Sequence, residues 1–368
     1  MTMGQAIPER VFLDRLTSLR FFAALVVVLN HITREFAPIP GVSTLAVLGT
    51  TGVGFFFALS GFILTWNLRN DDTPGRFYRR RFARVYPMHF VTLLIAVPVL
   101  LWTGSRITAP EAITNALLVQ SWVPDRDVYF GMNAPSWSLA CEAFFYLAFP
   151  FVIPVLRRLT ARSARNAVIA LVAADLLIAA AVTVALGVGD LSSFLLYVFP
   201  PFRIIGFLAG CALALWMKEG VRISHPLWIP TLALGVAYCG LAGAQVAFGP
   251  AGHGIEDAIL LPFVLWLIAA AGYSDLSGKP GWLRSRMAIR LGEWSFALYL
   301  THWLLMTVAV HLFPSVYEAT ILVRVGADLV FVAIAVGVSA FFYYAVEAPL
   351  EKRLRGARPR PAMEVSTG

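Results

Sequence analysis

Ionisable side chains inside otherwise apolar runs are the residues of this sequence best placed to do chemistry, because burying one in hydrocarbon costs several kcal/mol. Arg20 and His31 share the first such run. Eleven helical steps of about 100° amount to three turns plus roughly 20°, so both project from one face, with His31 about 16 Å deeper than Arg20. An imidazole near the middle of a membrane, below a basic mouth, has the reach and proton affinity of a general base or nucleophile. The competing reading is a packing histidine bonded to Asn30, Thr33 or another helix. His302 lies at a similar depth in a later run, where Ser295, Tyr299 and His302 share a face by i, i+4, i+7 spacing.

Further polar residues extend the set. Ser138, Glu142 and Tyr146 line one stripe at i, i+4, i+8, with Glu142 about 8 Å in from the outer end of its run. Arg203, after Pro200-Pro201, is the cation most available to pair with that carboxylate. Arg81 and Arg84, at i, i+3 where the third run begins, can jointly grip a phosphate. Together these suit an anionic donor with a long thin arm, its phosphates held by arginines and its reactive end near His31. Ser60 lacks the glycine-flanked elbow of a hydrolase nucleophile. The small residues around it, Gly52, Gly54, Ala58 and Gly61, read as a close helix contact. His89, His225, His253 and His311 read as interfacial or loop residues.

The elements that must position these groups are membrane helices. The chain has 368 residues, 59% hydrophobic and 14% charged, against about 25% charged in ordinary globular domains. Runs of about 20 apolar residues, enough to cross a bilayer, recur throughout. We expect an all-α integral membrane protein with about ten spans: 18–37, 45–67, 84–103, 137–156, 167–187, 192–216, 227–247, 256–273, 291–312 and 320–346. They leave a segment 1–17, a membrane domain 18–347 and a tail 348–368. The first run has no small-x-small cleavage site after it and reads as a retained span. Residues Pro110–Trp122 are amphipathic and suit the outer interface.

The basic residues fix an expected orientation. With the N-terminus in the cytoplasm, all but five of the 29 lysines and arginines fall inside, among them Arg10, Arg69, Arg222, Arg358 and Arg360. Arg34, Arg106, Arg126 and Arg324 fall outside, and Arg203 within a span. That is the positive-inside pattern, and it places both termini in the cytoplasm. It also accounts for the net charge of +8 without nucleic acid. Cys141, Cys211 and Cys239 are scattered through apolar runs and imply no disulfide framework. No metal-ligand spacing and no phosphate-binding glycine loop is present.

The order of these features resembles the acyltransferase-3 family of membrane O-acyltransferases. The matching stretches are Leu19-Arg20 with His31, Gly52 to Phe62, Arg80 to Pro87, Trp137-Ser138-Leu139 with Glu142 and Phe145-Tyr146, Gly292 with Ser295, Tyr299 and His302, and Glu347-Ala348-Pro349. The resemblance implies that Arg20, His31, Arg81, Arg84 and Glu142 occupy positions needed for activity. It implies acyl-CoA, acetyl-CoA by family frequency, as donor substrate with no bound cofactor. The implied acceptor is a hydroxyl of a carbohydrate, surface polysaccharide or macrolide-like product. The implied location is the bacterial cytoplasmic membrane. Some members carry an appended extracytoplasmic hydrolase-like domain. This sequence shows none, so it is expected to act alone or with a separate extracytoplasmic partner. The expected roles are catalysis by His31, Glu142 and Arg20, donor binding by Arg81, Arg84 and Arg20, and acceptor binding by Arg203, Ser138, Tyr146, Tyr299 and His302. The rival readings are a secondary transporter or flippase of an acylated precursor, and the other multispan acyltransferase group with a buried histidine.

Overall fold

The computed structural model describes residues 13–68, 72–221, 223, 225–249 and 253–356. Arg10, Arg69, Arg222, Arg358 and Arg360 lie outside these, as do most of the expected N-terminal segment and the end of the tail. Ten helices are long and apolar enough to cross a membrane. Their main segments are α1 Asp14–Glu35, α2 Gly52–Trp66, α3 Pro74–Trp102, α4 Trp137–Leu156, α5 Ala161–Leu186, α6 Pro200–Lys218, α7 Trp228–Phe248, α8 His253–Leu276, α9 Arg286–Leu312 and α10 Ile321–Phe342. No strand occurs among the described residues.

Each expected span is present, and the departures from its ends follow local rules. α3 starts ten residues before the expected position, because Thr73 caps it and Pro74 occupies its first turn. Arg81 and Arg84 are therefore inside that helix rather than at its mouth. α1 starts at Asp14, so His31 lies one turn before its last residue, Glu35, nearer that end of the helix than its middle. The sixth span is broken: a π turn at Phe194–Val198 leads to extended Phe199, and Pro200-Pro201 then opens α6. The last span continues through a π turn at Tyr343–Glu347 into a short helix, Ala348–Leu354.

The centre of the bundle is built by close helix contacts. α2 and α6 meet at Gly61 and Gly210, where an added Cβ would strike the Phe207 and Ala58 carbonyl oxygens respectively. α9 approaches α1 at Gly292, against the backbone of Thr17. Around these contacts pack Phe57, Phe62, Phe145 and Phe207, each almost wholly buried. α5 and α7 lie at the periphery, with Leu177, Val184, Val236 and Val246 exposed where lipid would cover them.

The connection between α3 and α4 folds inward. Asn115, Gln120, Ser121, Asn133 and Ser136 are buried, and their side chains bond protein backbone and one another. Ser136 donates to Asn115 at 3.0 Å, Ser121 to the Trp137 carbonyl at 2.7 Å, and Asn133 to the Leu300 carbonyl at 2.9 Å. Ile113, Leu117, Val119 and Trp122 point out, the arrangement of a segment at a lipid interface with its polar face turned to protein. His89, expected at an interface, is instead fully buried in α3, where its Nε2 donates to the Asn115 carbonyl at 2.9 Å. That carbonyl also accepts from the Leu118 amide at 3.2 Å, and the imidazole is its second donor.

The α2–α6 contact makes a direct prediction. Gly61→Ala should destabilise the purified protein by roughly 1–3 kcal/mol through overpacking. Gly235→Ala on α7, where nothing lies near the new methyl, should leave the thermal midpoint in detergent unchanged or higher.

Candidate active site

Low dielectric makes the pairing of each buried charge decisive. Arg203 of α6 is buried and bonded to Asp257 of α8, with the Leu196 carbonyl as a further acceptor at 3.3 Å. Its guanidinium sits over the rings of Phe57 and Tyr197. The expected pairing of Arg203 with Glu142 is thus replaced by an internal ion pair, because Asp257 enters the same layer from α8. Arg84 is also neutralised. It donates to Glu347 at 2.6 Å and Glu351 at 3.0 Å, which the π turn after α10 swings toward α3.

Arg20, Arg81 and Glu142 differ. Among the described residues, no carboxylate lies within 4 Å of Arg20 or Arg81, and Glu142 has no basic group that close. Arg81 lies 5.9 Å from the ring centroids of both Phe77 and Tyr146, and its buried Nε has no hydrogen-bond partner. Glu142 accepts from the Tyr146 hydroxyl at 3.0 Å, and that hydroxyl is 3.3 Å from Ser60. All three charged groups line one cavity of about 190 Å³, bounded by α1, α2, α3, α4 and α9. Ser60, Arg84, Ser138, Tyr146, Ser295 and Tyr299 also face it. Ser138 donates to the Pro135 carbonyl at 3.1 Å and lies 2.9 Å from the Tyr299 hydroxyl.

Glu142 thus shares a cavity with Arg20. The cause is the inward-folded connection: Ala134, Pro135, Ser136 and Trp137 are all buried, so α4 begins well inside the bundle. With Arg84 offset by its own carboxylates, the cavity wall carries two unpaired guanidinium groups against one carboxylate. It is electropositive and suits an anionic group with hydrogen-bonding oxygens.

His31 and His302 do not line this cavity, but they meet each other. His31 Nδ1 is 3.0 Å from His302 Nε2, with the rings nearly parallel at 19°. Trp303 packs edge-on to His31 at 5.0 Å between centroids. Tyr299 connects the two places: it faces the cavity and lies 6.1 Å from the His302 ring. Of the ten sequence-predicted site residues, seven therefore converge on the cavity, two form the adjoining histidine pair, and Arg203 stands apart.

Sequence reasoning missed the partners of the arginines. Asp257 is an ionisable residue in a span, and the rule that singled out Arg203 should have offered it as the counter-charge. Glu351 carried no such signal, because the last span was ended before it. Ser60 was dismissed for lacking a hydrolase elbow, and the structure places it in the cavity without one. Among the described residues, no group of acidic, histidine and cysteine side chains could hold a metal.

Known proteins bear on the chain as follows. The family model described as an acyltransferase domain matches residues 13–344. Acyltransferase MdmB of Streptomyces mycarofaciens is 36% identical over 317 residues, covering 81% of this chain and 80% of the relative. O-acetyltransferase OatA of Staphylococcus aureus is 26% identical over 376 residues, covering 93% of this chain but 58% of OatA. The chain thus spans little more than half of OatA's length. No solved structure matches. A match along nearly the whole membrane domain, with a 36% identical relative covered over most of its length, sets aside the transporter reading: the chain belongs to the acyltransferase-3 family and is a membrane enzyme that transfers acyl groups.

Proposed function

We propose that this protein moves an acyl group from acyl-CoA, entering from the cytoplasm, to a hydroxyl of a carbohydrate or glycosylated natural product. The observation that carries the proposal is a pair of unpaired arginines, Arg20 and Arg81, in a cavity joined through Tyr299 to a histidine pair. A protein gains nothing in stability from uncompensated guanidinium groups in a membrane bundle, so a bound anion is their natural counter-charge. The phosphates of CoA supply it, and the narrow arm of the donor extends along α1 toward His31. The printed name of OatA supports an acetyl group and an oxygen acceptor. Members of the family that modify carbohydrates support the acceptor class.

In this reading His31 is the general base. It takes the proton of the acceptor hydroxyl as the oxygen attacks the thioester carbon. A C–O bond forms, the C–S bond breaks, and the proton passes to the departing thiolate. Imidazole suits both steps, because its ordinary pKa near 6.5 lets it gain and return a proton at neutral pH. Glu142, fixed by Tyr146, offsets part of the arginine charge and orients the donor. Ser138 and Tyr299, bonded to each other and to the Pro135 carbonyl, shape the path between the arginines and the histidine pair. Arg84 acts by holding the end of α10 against α3. Arg203 holds α6 to α8. The clustering of lysine and arginine at alternate connections supports a reading with both termini in the cytoplasm of a bacterial cell.

His31→Ala should lower acyl transfer by about 10²-fold or more, measured as acetyl-CoA consumed by purified protein given acceptor, with unchanged elution on size exclusion. A variant retaining near-normal turnover would remove His31 from the reaction. Arg81→Gln and Arg20→Gln should each raise the KM for acyl-CoA about tenfold, the loss of a charge-assisted contact. Little change in the KM for the acceptor is expected. Green fluorescent protein fused to either end should fluoresce, and alkaline phosphatase fused there should be inactive. Active phosphatase would invert the proposed sidedness.

A further inference from the structure

We propose that His302 is a positioning residue that sets the tautomer of His31 and leaves His31 Nε2 as the lone-pair nitrogen that meets the proton of the acceptor. The inference rests on the reading of His31 as general base and adds a residue and an atom to it.

The assignment follows from donors and acceptors. His302 is fully buried, and its Nδ1 lies 3.1 Å from the carbonyl oxygen of Leu298, one turn earlier in α9. A carbonyl only accepts, so the proton of His302 sits on Nδ1. No carboxylate lies within 4 Å of this ring among the described residues, so nothing there supports an imidazolium. A neutral imidazole has one N–H, and His302 Nε2 is therefore an acceptor. The atom facing it at 3.0 Å is His31 Nδ1, which must donate. His31 then keeps its lone pair on Nε2, and that atom has no hydrogen-bond partner among the described residues.

Packing holds the arrangement. The His302 ring lies nearly parallel to His31 and meets it edge to edge, 5.2 Å between centroids, and the contact with Trp303 holds another side. His302 cannot turn away without losing the Leu298 carbonyl, which would leave buried polar groups unsatisfied. When His31 takes a proton on Nε2, it still donates from Nδ1 to His302, so the imidazolium is stabilised where it forms. A neutral acceptor does this without burying a second charge. The second imidazole thus orients the first as a carboxylate does in other enzymes.

The test uses full-length purified protein with [15N]histidine, and His31→Ala to assign the His31 resonances. In the wild type, Nδ1 of His31 should appear protonated and Nε2 unprotonated. His302→Leu removes the acceptor, whereas His302→Gln can still accept through its amide oxygen. His302→Leu should shift the His31 proton toward Nε2 and lower kcat at least about tenfold, with the KM for acetyl-CoA unchanged. His302→Gln should restore both the resonance pattern and most of kcat. A wild-type spectrum with the lone pair on Nδ1 overturns the proposal, whether or not any variant folds. Equal losses in the Leu and Gln variants with an unchanged tautomer would also overturn it, making His302 a packing residue. Full activity of His31→Ala would overturn the base assignment while leaving the measured tautomer in place.

Discussion

A charge removed from water into a helix bundle must find a counter-charge, a dense set of hydrogen bonds or a ligand. This constraint sorts the arginines of the protein into two kinds. Arg15, Arg84 and Arg203 are matched by Asp275, Glu347 with Glu351, and Asp257, and each match joins segments distant in sequence. Arg20 and Arg81 line the cavity without a carboxylate partner among the described residues. The matched pairs join the helices, and the unmatched residues are the ones proposed to hold the donor.

The cavity exists because tight and loose packing alternate. Glycines bring α2 against α6 and α9 against α1 at backbone distance, while the aromatic rings beside them keep the wall apolar. The inward-folded connection after α3 then carries the start of α4 into the bundle, and with it Ser138, Glu142 and Tyr146. A polar segment can be drawn that deep only because its amides and hydroxyls bond one another and neighbouring backbone. Leu118 and Met132, both buried, hold positive φ angles of 56° and 58° in this connection. Non-glycine residues in that region are strained, so surrounding packing sustains the path of the segment.

Much of this was legible in the sequence, for physical reasons. Hydrocarbon thickness fixes span length, so all ten helices could be placed. Helical periodicity also predicted that Ser138, Glu142 and Tyr146 would share a face. The geometry between helices was less accessible. Nothing in the spacing of Arg84 announced Glu347 and Glu351, some 260 residues away. That Glu142 shares a cavity with Arg20 was not legible, because a polar connection was assumed to lie outside the bundle. His31 and His302 were each singled out, but their contact depends on the crossing of α1 and α9, which one-dimensional patterns do not encode. The alternative reading of His31 as bonded to another helix is met in part: it is bonded, and the bond partner is the other buried histidine.

The unpaired arginines are the proposed donor site. Their most direct test is a structure of the full chain with a non-reactive thioether analogue of acetyl-CoA. Phosphate oxygens are expected within hydrogen-bond distance of Arg81 or Arg20, and the thioether is expected to point past Tyr299 toward Nε2 of His31. An analogue bound elsewhere, with Arg20 and Arg81 satisfied by water or by Glu142, would contradict that assignment.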